Sequence, residues 1–303
     1  MTRVAFLGTG IMGAPMASRL AAAGFSVTGW NRSPEKLASL EGVREAPSAR
    51  AAVDRAEVVV CMLSSGEVCD AVLLGQHGAI AAMVPGATLV VMSSIPVETA
   101  RAQSAACAER GIAYVDAPVS GGERGAKDGT LTIMAGGDAA VVAALAPLFA
   151  PLGRTTHVGP AGAGQLAKLA NQLIVASSIC AVAEALLLAE RGGADPARVR
   201  EALLGGFADS TVLRQHGLRM VEGNFVPGGP AKYQIKDTGT ALALAKGLSL
   251  ALPVAEQVDR LFRSLVDHGD GDLDHSAAII ELRRMNPHVA ELPSALRAAK
   301  ART

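Results

Sequence analysis

Short, uninterrupted apolar runs alternate with stretches of helical spacing through the first half of the chain. Residues 4–7, 26–30, 58–62, 88–92 and 113–116 read as strands. Their apolar character is continuous, as expected of strands covered on both faces. Residues 14–23 and 97–109 lie between them and read as helices. Alternation of this kind predicts an α/β fold with a parallel, doubly wound sheet. A further run at 131–135 extends the sheet before a helix that begins near Asp138.

The pattern changes at Gly159-Pro160-Ala161-Gly162-Ala163-Gly164, after which the strand signals stop. Residues 165–191 form one long apolar helix, and helical patterns continue to about Arg284. The expected division is an α/β domain over 1–162, an all-helical domain over 163–286 and a tail over 287–303. The tail is polar and interrupted by proline, so fraying is expected there.

Composition narrows the function classes. The 303 residues carry 28 Lys+Arg against 28 Asp+Glu, with no basic excess to neutralise phosphates, so a nucleic-acid partner is not expected. Aromatics make up 3%, leaving few platforms on which bases stack. A hydrophobic share of 50% suits a large buried core. Cys61, Cys69, Cys107 and Cys180 are spread without C-x-x-C pairing and read as buried small hydrophobes in a reducing compartment. The first residues lack signal-peptide architecture, and the most apolar stretch, 173–189, contains Ser177, Ser178 and Glu184. The expectation is a cytoplasmic protein with no membrane partner.

Gly8-Thr9-Gly10-Ile11-Met12-Gly13 stands directly after the first strand and before a helix. In G-x-G-x-x-G the first glycine permits the tight turn and the second lets the backbone approach a pyrophosphate. The third lets helix and strand pack closely, and the helix N-terminus faces the anion. The end of the second strand selects the nucleotide. An acid there would accept the ribose 2′-OH of NAD, but this chain has Asn31-Arg32-Ser33, a guanidinium and a hydroxyl suited to a 2′-phosphate. NADP(H) is expected, with NAD(H) possible.

Three further motifs bear on chemistry. Asp116-Ala117-Pro118-Val119-Ser120-Gly121-Gly122 ends a strand and offers a hydroxyl and backbone N–H groups to a carboxylate. Lys168 and Asn171 stand at i and i+3 on the long helix, with Gln165 one turn earlier. A lysine on so apolar a helix is odd for a solvated face, and burial would lower its pKa toward proton transfer. Lys236-Asp237 follows Tyr233-Gln234-Ile235 in the helical domain.

With these four motifs in this order, the chain resembles the β-hydroxyacid dehydrogenase family over residues 1 to 285. The resemblance implies a Rossmann domain, a helical domain and an active site in the cleft between them. It also implies that Lys168 is catalytic, that Asn171 orients it or the substrate, and that Ser120, Gly121 and Gly122 hold the substrate carboxylate. Lys236 would approach the nicotinamide end, while Met62, Leu63, Ser64 and Ser94 would line the cofactor. Family members often carry proline where Ser64 stands and an acid where Val91 stands.

The expected reaction interconverts a small β-hydroxy acid and its semialdehyde, with no metal. Ser120-Gly121-Gly122-Glu123, Asp128-Gly129-Thr130-Leu131, Lys168-Leu169-Ala170-Asn171-Gln172 and Ser210-Thr211-Val212-Leu213 lean toward family members that reduce tartronate semialdehyde to glycerate. So does Gly271-Asp272-Leu273-Asp274-His275-Ser276-Ala277. 3-Hydroxyisobutyrate dehydrogenation and reduction of other short semialdehydes or glyoxylate are the alternatives. A non-catalytic dinucleotide-binding scaffold is the alternative of another class, and imine reductases are a third. Both groups typically lack the lysine that this chain has at Lys168. The length of the apolar helix suggests a homodimer or homotetramer.

Two decoys complete the reading. Asp270, Asp272, Asp274, Ser276 and Glu281 fall on calcium-loop positions of an EF-hand, but His275 stands where the sharp turn demands glycine. The segment therefore reads as a loop and helix N-cap. The six histidines show no metal-ligand spacing, and Trp30 reads as packing.

Overall fold

Alternate residues of the central strands enter two different cores, which is why those strands are apolar throughout. In the computed structural model, which describes residues 1–287, Val4, Phe6, Val58, Val60 and Val90 pack on one face of the sheet. Ala5, Leu7, Val59, Cys61, Leu89 and Val91 pack on the other. The structure falls into two units, Met1–Lys168 and Leu169–Thr303.

The first unit is built on nine strands. They are β1 (Arg3–Leu7), β2 (Ser26–Trp30), β3 (Val43–Glu45), β4 (Val58–Cys61), β5 (Thr88–Val91), β6 (Ala113–Asp116), β7 (Val119–Ser120), β8 (Leu131–Gly137) and β9 (Gly153–Gly159). The order β3-β2-β1-β4-β5-β6 is all parallel, the arrangement of a Rossmann sheet. The expected doubly wound α/β fold is thus present, with a mixed edge. β8 runs antiparallel to both β6 and β7, and β9 returns parallel to β8.

Helices α1 (Gly13–Ala22), α2 (Ala49–Val53), α3 (Gly66–Leu73) and α4 (Val97–Ala108) connect the parallel strands. α5 (Gly122–Asp128), α6 (Ala139–Ala144) and α7 (Ala146–Phe149) accompany the edge strands. Asp138 caps α6, its carboxylate accepting from the N–H groups of Ala140 and Val141. All four cysteines are buried, and none forms a disulfide.

α8 (Ala163–Arg191) leaves the first unit and enters the second. It is the one helix among the described residues long and apolar enough to cross a bilayer. Ala176, Ile179, Cys180, Ala183, Leu186 and Leu187 bury one side of it in the core of the helical unit. The next helix, α9 (Pro196–Leu203), buries none of its residues. That core is completed by α10 (Thr211–Glu222), α11 (Ala231–Gly247), α12 (Pro253–Leu265) and α13 (Ala278–Met285). Of the expected tail, 288–303 lies outside the described residues.

Candidate active site

The glycine loop follows from what a side chain would strike. A Cβ on Gly8, where φ is +100°, would lie 2.3 Å from the carbonyl oxygen of Met62, and one on Gly13 would lie 1.9 Å from that of Gly8. Around Gly10 there is nothing within 4 Å, so its backbone faces open space. No side chain caps α1; Ala14 N–H already donates to the Gly10 carbonyl at 2.9 Å and Pro15 has no N–H, so an incoming anion would meet the loop residues before Ala14. Thr9 Oγ1 is buried without a hydrogen-bond partner, and Ile11 is 72% exposed at the tip of the loop. An unpartnered hydroxyl, an open backbone and an uncovered apolar side chain at one helix start fit a bound dinucleotide.

Asn31 reaches back to this loop. Its Oδ1 accepts from the Thr9 N–H at 3.1 Å and its Nδ2 donates to the Ser33 carbonyl at 3.0 Å. Asn31 therefore ties the end of β2 to the glycine loop, while Arg32 beside it is exposed and Ser33 is half-buried. After β4, Met62 and Leu63 are half-buried and Ser64 is exposed. Leu63 N–H donates to Ser93 Oγ at 2.7 Å, joining the loops after β4 and β5, with half-buried Ser94 next in sequence.

Ser120 closes β7 and is half-buried, and Gly121 and Gly122 follow with φ of 133° and 61°. Such angles strain any residue but glycine. Four residues before Ser120, Asp116 ends β6 with its carboxylate wholly buried. Oδ1 accepts from Gly162 N–H at 2.7 Å and Oδ2 from Gln165 N–H at 2.8 Å, at the start of α8. Burial pushes the carboxyl up to about 6, against the pull of these N–H donors. Gln165, itself buried, accepts from Ile95 N–H at 3.0 Å and donates to the Ser93 carbonyl at 2.9 Å.

Lys168 stands one turn beyond Gln165 on α8, and Asn171 one turn beyond Lys168; both are half-buried. In the helical unit, Asn171 Nδ2 donates to Gln172 Oε1 at 2.9 Å, and Gln172 Nε2 donates to Asp237 Oδ2 at 2.5 Å. Asp237 also pairs with Lys236 at 4.0 Å. The structure thus joins Asn171 to the Lys236-Asp237 pair through Gln172. Spacing alone gave Gln172 no role, because its partner lies 65 residues away.

The aspartates of the calcium-like segment have protein partners. Asp270 pairs with Arg284, Asp272 with Lys232 at 2.5 Å, and Glu281 with Arg284 at 3.0 Å. Asp274 is buried beside His216 and Arg219 and accepts from the N–H groups of Gly228, Gly229 and Ser276. His216, Asp274 and His275 come together although the sequence separates them, and their ligand atoms lie within 4.8 Å of one another. Arg219 at 3.5 Å and the backbone donors already occupy the carboxylate, so this cluster reads as a structural hub that holds the loop leading into α11.

Comparison with known proteins decides the family. Residues 3–159 match the model for the NAD-binding domain of 6-phosphogluconate dehydrogenase, and residues 162–282 match that for the corresponding domain of NADP-dependent 3-hydroxyisobutyrate dehydrogenase. The 2-hydroxy-3-oxopropionate reductase of Escherichia coli is 45% identical over 290 residues, covering 94% of this chain and 99% of that one. The chain belongs to the β-hydroxyacid dehydrogenase family. The 3-hydroxyisobutyrate dehydrogenase of Pseudomonas aeruginosa is 34% identical, with 91% and 95% of the two chains covered. A solved structure of Mycobacterium tuberculosis 3-hydroxyisobutyrate dehydrogenase with L-serine superposes at a TM-score of 0.86 with 32% identity, over 93% of this chain and 99% of that one. This β-hydroxyacid dehydrogenase is accordingly an NAD(P)-dependent oxidoreductase acting on CH–OH, and its relatives are named for small hydroxy-acid or semialdehyde substrates.

Proposed function

We propose that this enzyme reduces tartronate semialdehyde to glycerate with NADPH, and that Lys168 is the proton donor. The observation that carries the reading is the joint presence of the Gly8–Gly13 loop, Ser120-Gly121-Gly122, Lys168 with Asn171, and Lys236 in a chain 45% identical to a 2-hydroxy-3-oxopropionate reductase. The nicotinamide supplies the hydride when bound. Gly8, Gly10, Gly13 and the start of α1, with Ile11 and Met12, hold the pyrophosphate. Arg32 and Ser33 grip the 2′-phosphate, and Asn31 keeps the turn between them and the loop.

Lys168 donates a hydrogen bond to the aldehyde oxygen, stabilises the charge that develops there and delivers the proton. Ser120 and the N–H groups of Gly121 and Gly122 fix the carboxylate, and with it distance and orientation. Asn171, held through Gln172, orients the substrate oxygen or the lysine. Lys236 attends the nicotinamide end, and Met62, Leu63, Ser64 and Ser94 line the cofactor. The reading takes residues 1–162 as the cofactor domain and 163–286 as the substrate and oligomerisation domain, in a cytoplasmic enzyme. Ile174 and Leu188, 67% and 75% exposed on α8, support a homodimer or homotetramer.

The test is cofactor oxidation with NADPH and NADH over tartronate, methylmalonate and succinic semialdehydes and glyoxylate. The highest kcat/KM is expected for tartronate semialdehyde with NADPH. A preference for methylmalonate semialdehyde would instead make the enzyme a 3-hydroxyisobutyrate dehydrogenase.

A further inference from the structure

We propose that Asp116 and Gln165 are positioning residues for Lys168, together fixing the first turn of α8 against the ends of β5 and β6. The inference rests on the reading of Lys168 as the proton donor and adds what holds that lysine in place.

The anchor is two-sided. From β6, the Asp116 carboxylate takes the backbone N–H groups of Gly162 and Gln165, at 2.7 and 2.8 Å. From the loop after β5, the backbone at Ser93 and Ile95 takes both ends of the Gln165 side chain, at 2.9 and 3.0 Å. Four directional bonds thus converge on one turn, and Lys168 is on the next. A helix advances about 1.5 Å and turns about 100° per residue, so a slip of one residue would swing Lys168 away from any fixed oxygen. A misplacement of about 1 Å already costs on the order of a hundredfold in rate.

The surrounding backbone is shaped for the carboxylate. A Cβ on Gly164 would lie 2.4 Å from the Asp116 carbonyl oxygen and 2.8 Å from its Oδ2. A Cβ on Gly136 would lie 2.6 Å from Gly164 N and 2.7 Å from Asp116 Oδ1. Glycine at both positions lets the strand, the carboxylate and the helix start approach to hydrogen-bond distance. Burying a carboxylate is costly, and an apolar side chain would fill the same volume more cheaply. What the carboxylate adds is direction, because it accepts only where the N–H groups point. Asp116 also lies four residues before Ser120, where the chain leaves β6 for β7 and the proposed carboxylate cradle.

The variants are Asp116→Asn and Gln165→Met in the full chain. Asparagine keeps the shape but turns an NH2 group toward one of the two N–H donors. Methionine keeps the length of glutamine and removes both side-chain bonds. For each, kcat, the KM of the semialdehyde, the Kd of NADPH by fluorescence titration and the solvent isotope effect on kcat are measured well below the melting transition. A tenfold or greater loss of kcat is expected, with KM and Kd within threefold and a larger solvent isotope effect as proton delivery becomes limiting. The double variant is expected to be no worse than about threefold below the poorer single one, since both act on one turn.

An unchanged kcat in Gln165→Met would overturn the proposal, and so would equal losses in kcat and NADPH affinity. Should Asp116→Asn fail to fold, Gln165→Met decides alone. Lys168→Ala run alongside separates the two claims. An inactive Lys168→Ala beside a normal Gln165→Met removes only the positioning role, whereas an active Lys168→Ala removes the reading on which it stands.

Discussion

Gln172 Nε2 donates to Asp237 Oδ2 at 2.5 Å, joining the helix that carries Asn171 to the helix that carries Lys236. The same glutamine accepts from Asn171 Nδ2, so removing it releases Asn171 and, at Asp237, the ion-pair partner of Lys236. A double-mutant cycle of Gln172→Ala and Asp237→Ala on kcat/KM is expected to give a coupling of about 1.5–3 kcal/mol, the range for a hydrogen bond to a charged group. Strictly additive losses would show that the bond carries nothing in catalysis.

Arg32 is exposed at the end of β2, with no acid at Asn31 or Ser33 to repel a phosphate. A charge-assisted hydrogen bond is worth about 1.5–3 kcal/mol, or roughly 10- to 150-fold in affinity. Arg32→Ala is therefore expected to raise the KM for NADPH by tenfold or more and that for NADH by less than threefold. Equal changes for both cofactors would remove Arg32 from phosphate recognition.

The two units carry groups whose partial or full burial gives opposite pH responses. Asp116 titrates at about 6 in the folded protein, above its usual 3.8, because burial disfavours the anion. The folded state holds this proton more tightly than the unfolded chain, so its stabilising effect is complete below about pH 4 and is lost as pH rises to about 6. Burial, then His216, hold His275 down to about 4 from the usual 6.5. Here the unfolded chain binds the proton more tightly, so stability grows as pH rises from about 4 to about 6.5. Denaturant titrations across this window should find Asp116→Asn favoured by higher pH relative to the parent, and His275→Gln favoured by lower pH. Shifts of the same sign in both variants would contradict these assignments.

Most of the central sheet was legible because its strands are buried on both faces and so read as unbroken apolar runs. β9 escaped because it lies at an edge, where Arg154, Thr156 and His157 are exposed and no apolar run forms. β3 has three residues and β7 two, too short for a period to register. The antiparallel course of β8 depends on pairing with β6 and β7, which composition does not encode. The glycine loop was legible because Gly8 and Gly13 each answer a local steric demand. The roles of Asp116, Gln165 and Gln172 were not, since they depend on partners 49, 70 and 65 residues away. A polar residue in an apolar run was the one local signal at Gln165 and Gln172, and it marks a buried hydrogen bond without naming the partner. His216 and His275 likewise meet only through the packing of α10 against the segment before α13.

The central claim is that Lys168 delivers the proton while the glycine loop binds the cofactor independently. Lys168→Ala, assayed for tartronate semialdehyde reduction and titrated with NADPH by fluorescence, tests it most directly. Loss of general acid catalysis costs on the order of 10²- to 10⁴-fold in rate, so kcat should fall into that range while the NADPH Kd stays within about threefold. Turnover within tenfold of the parent enzyme, or loss of NADPH binding in parallel with activity, would contradict it.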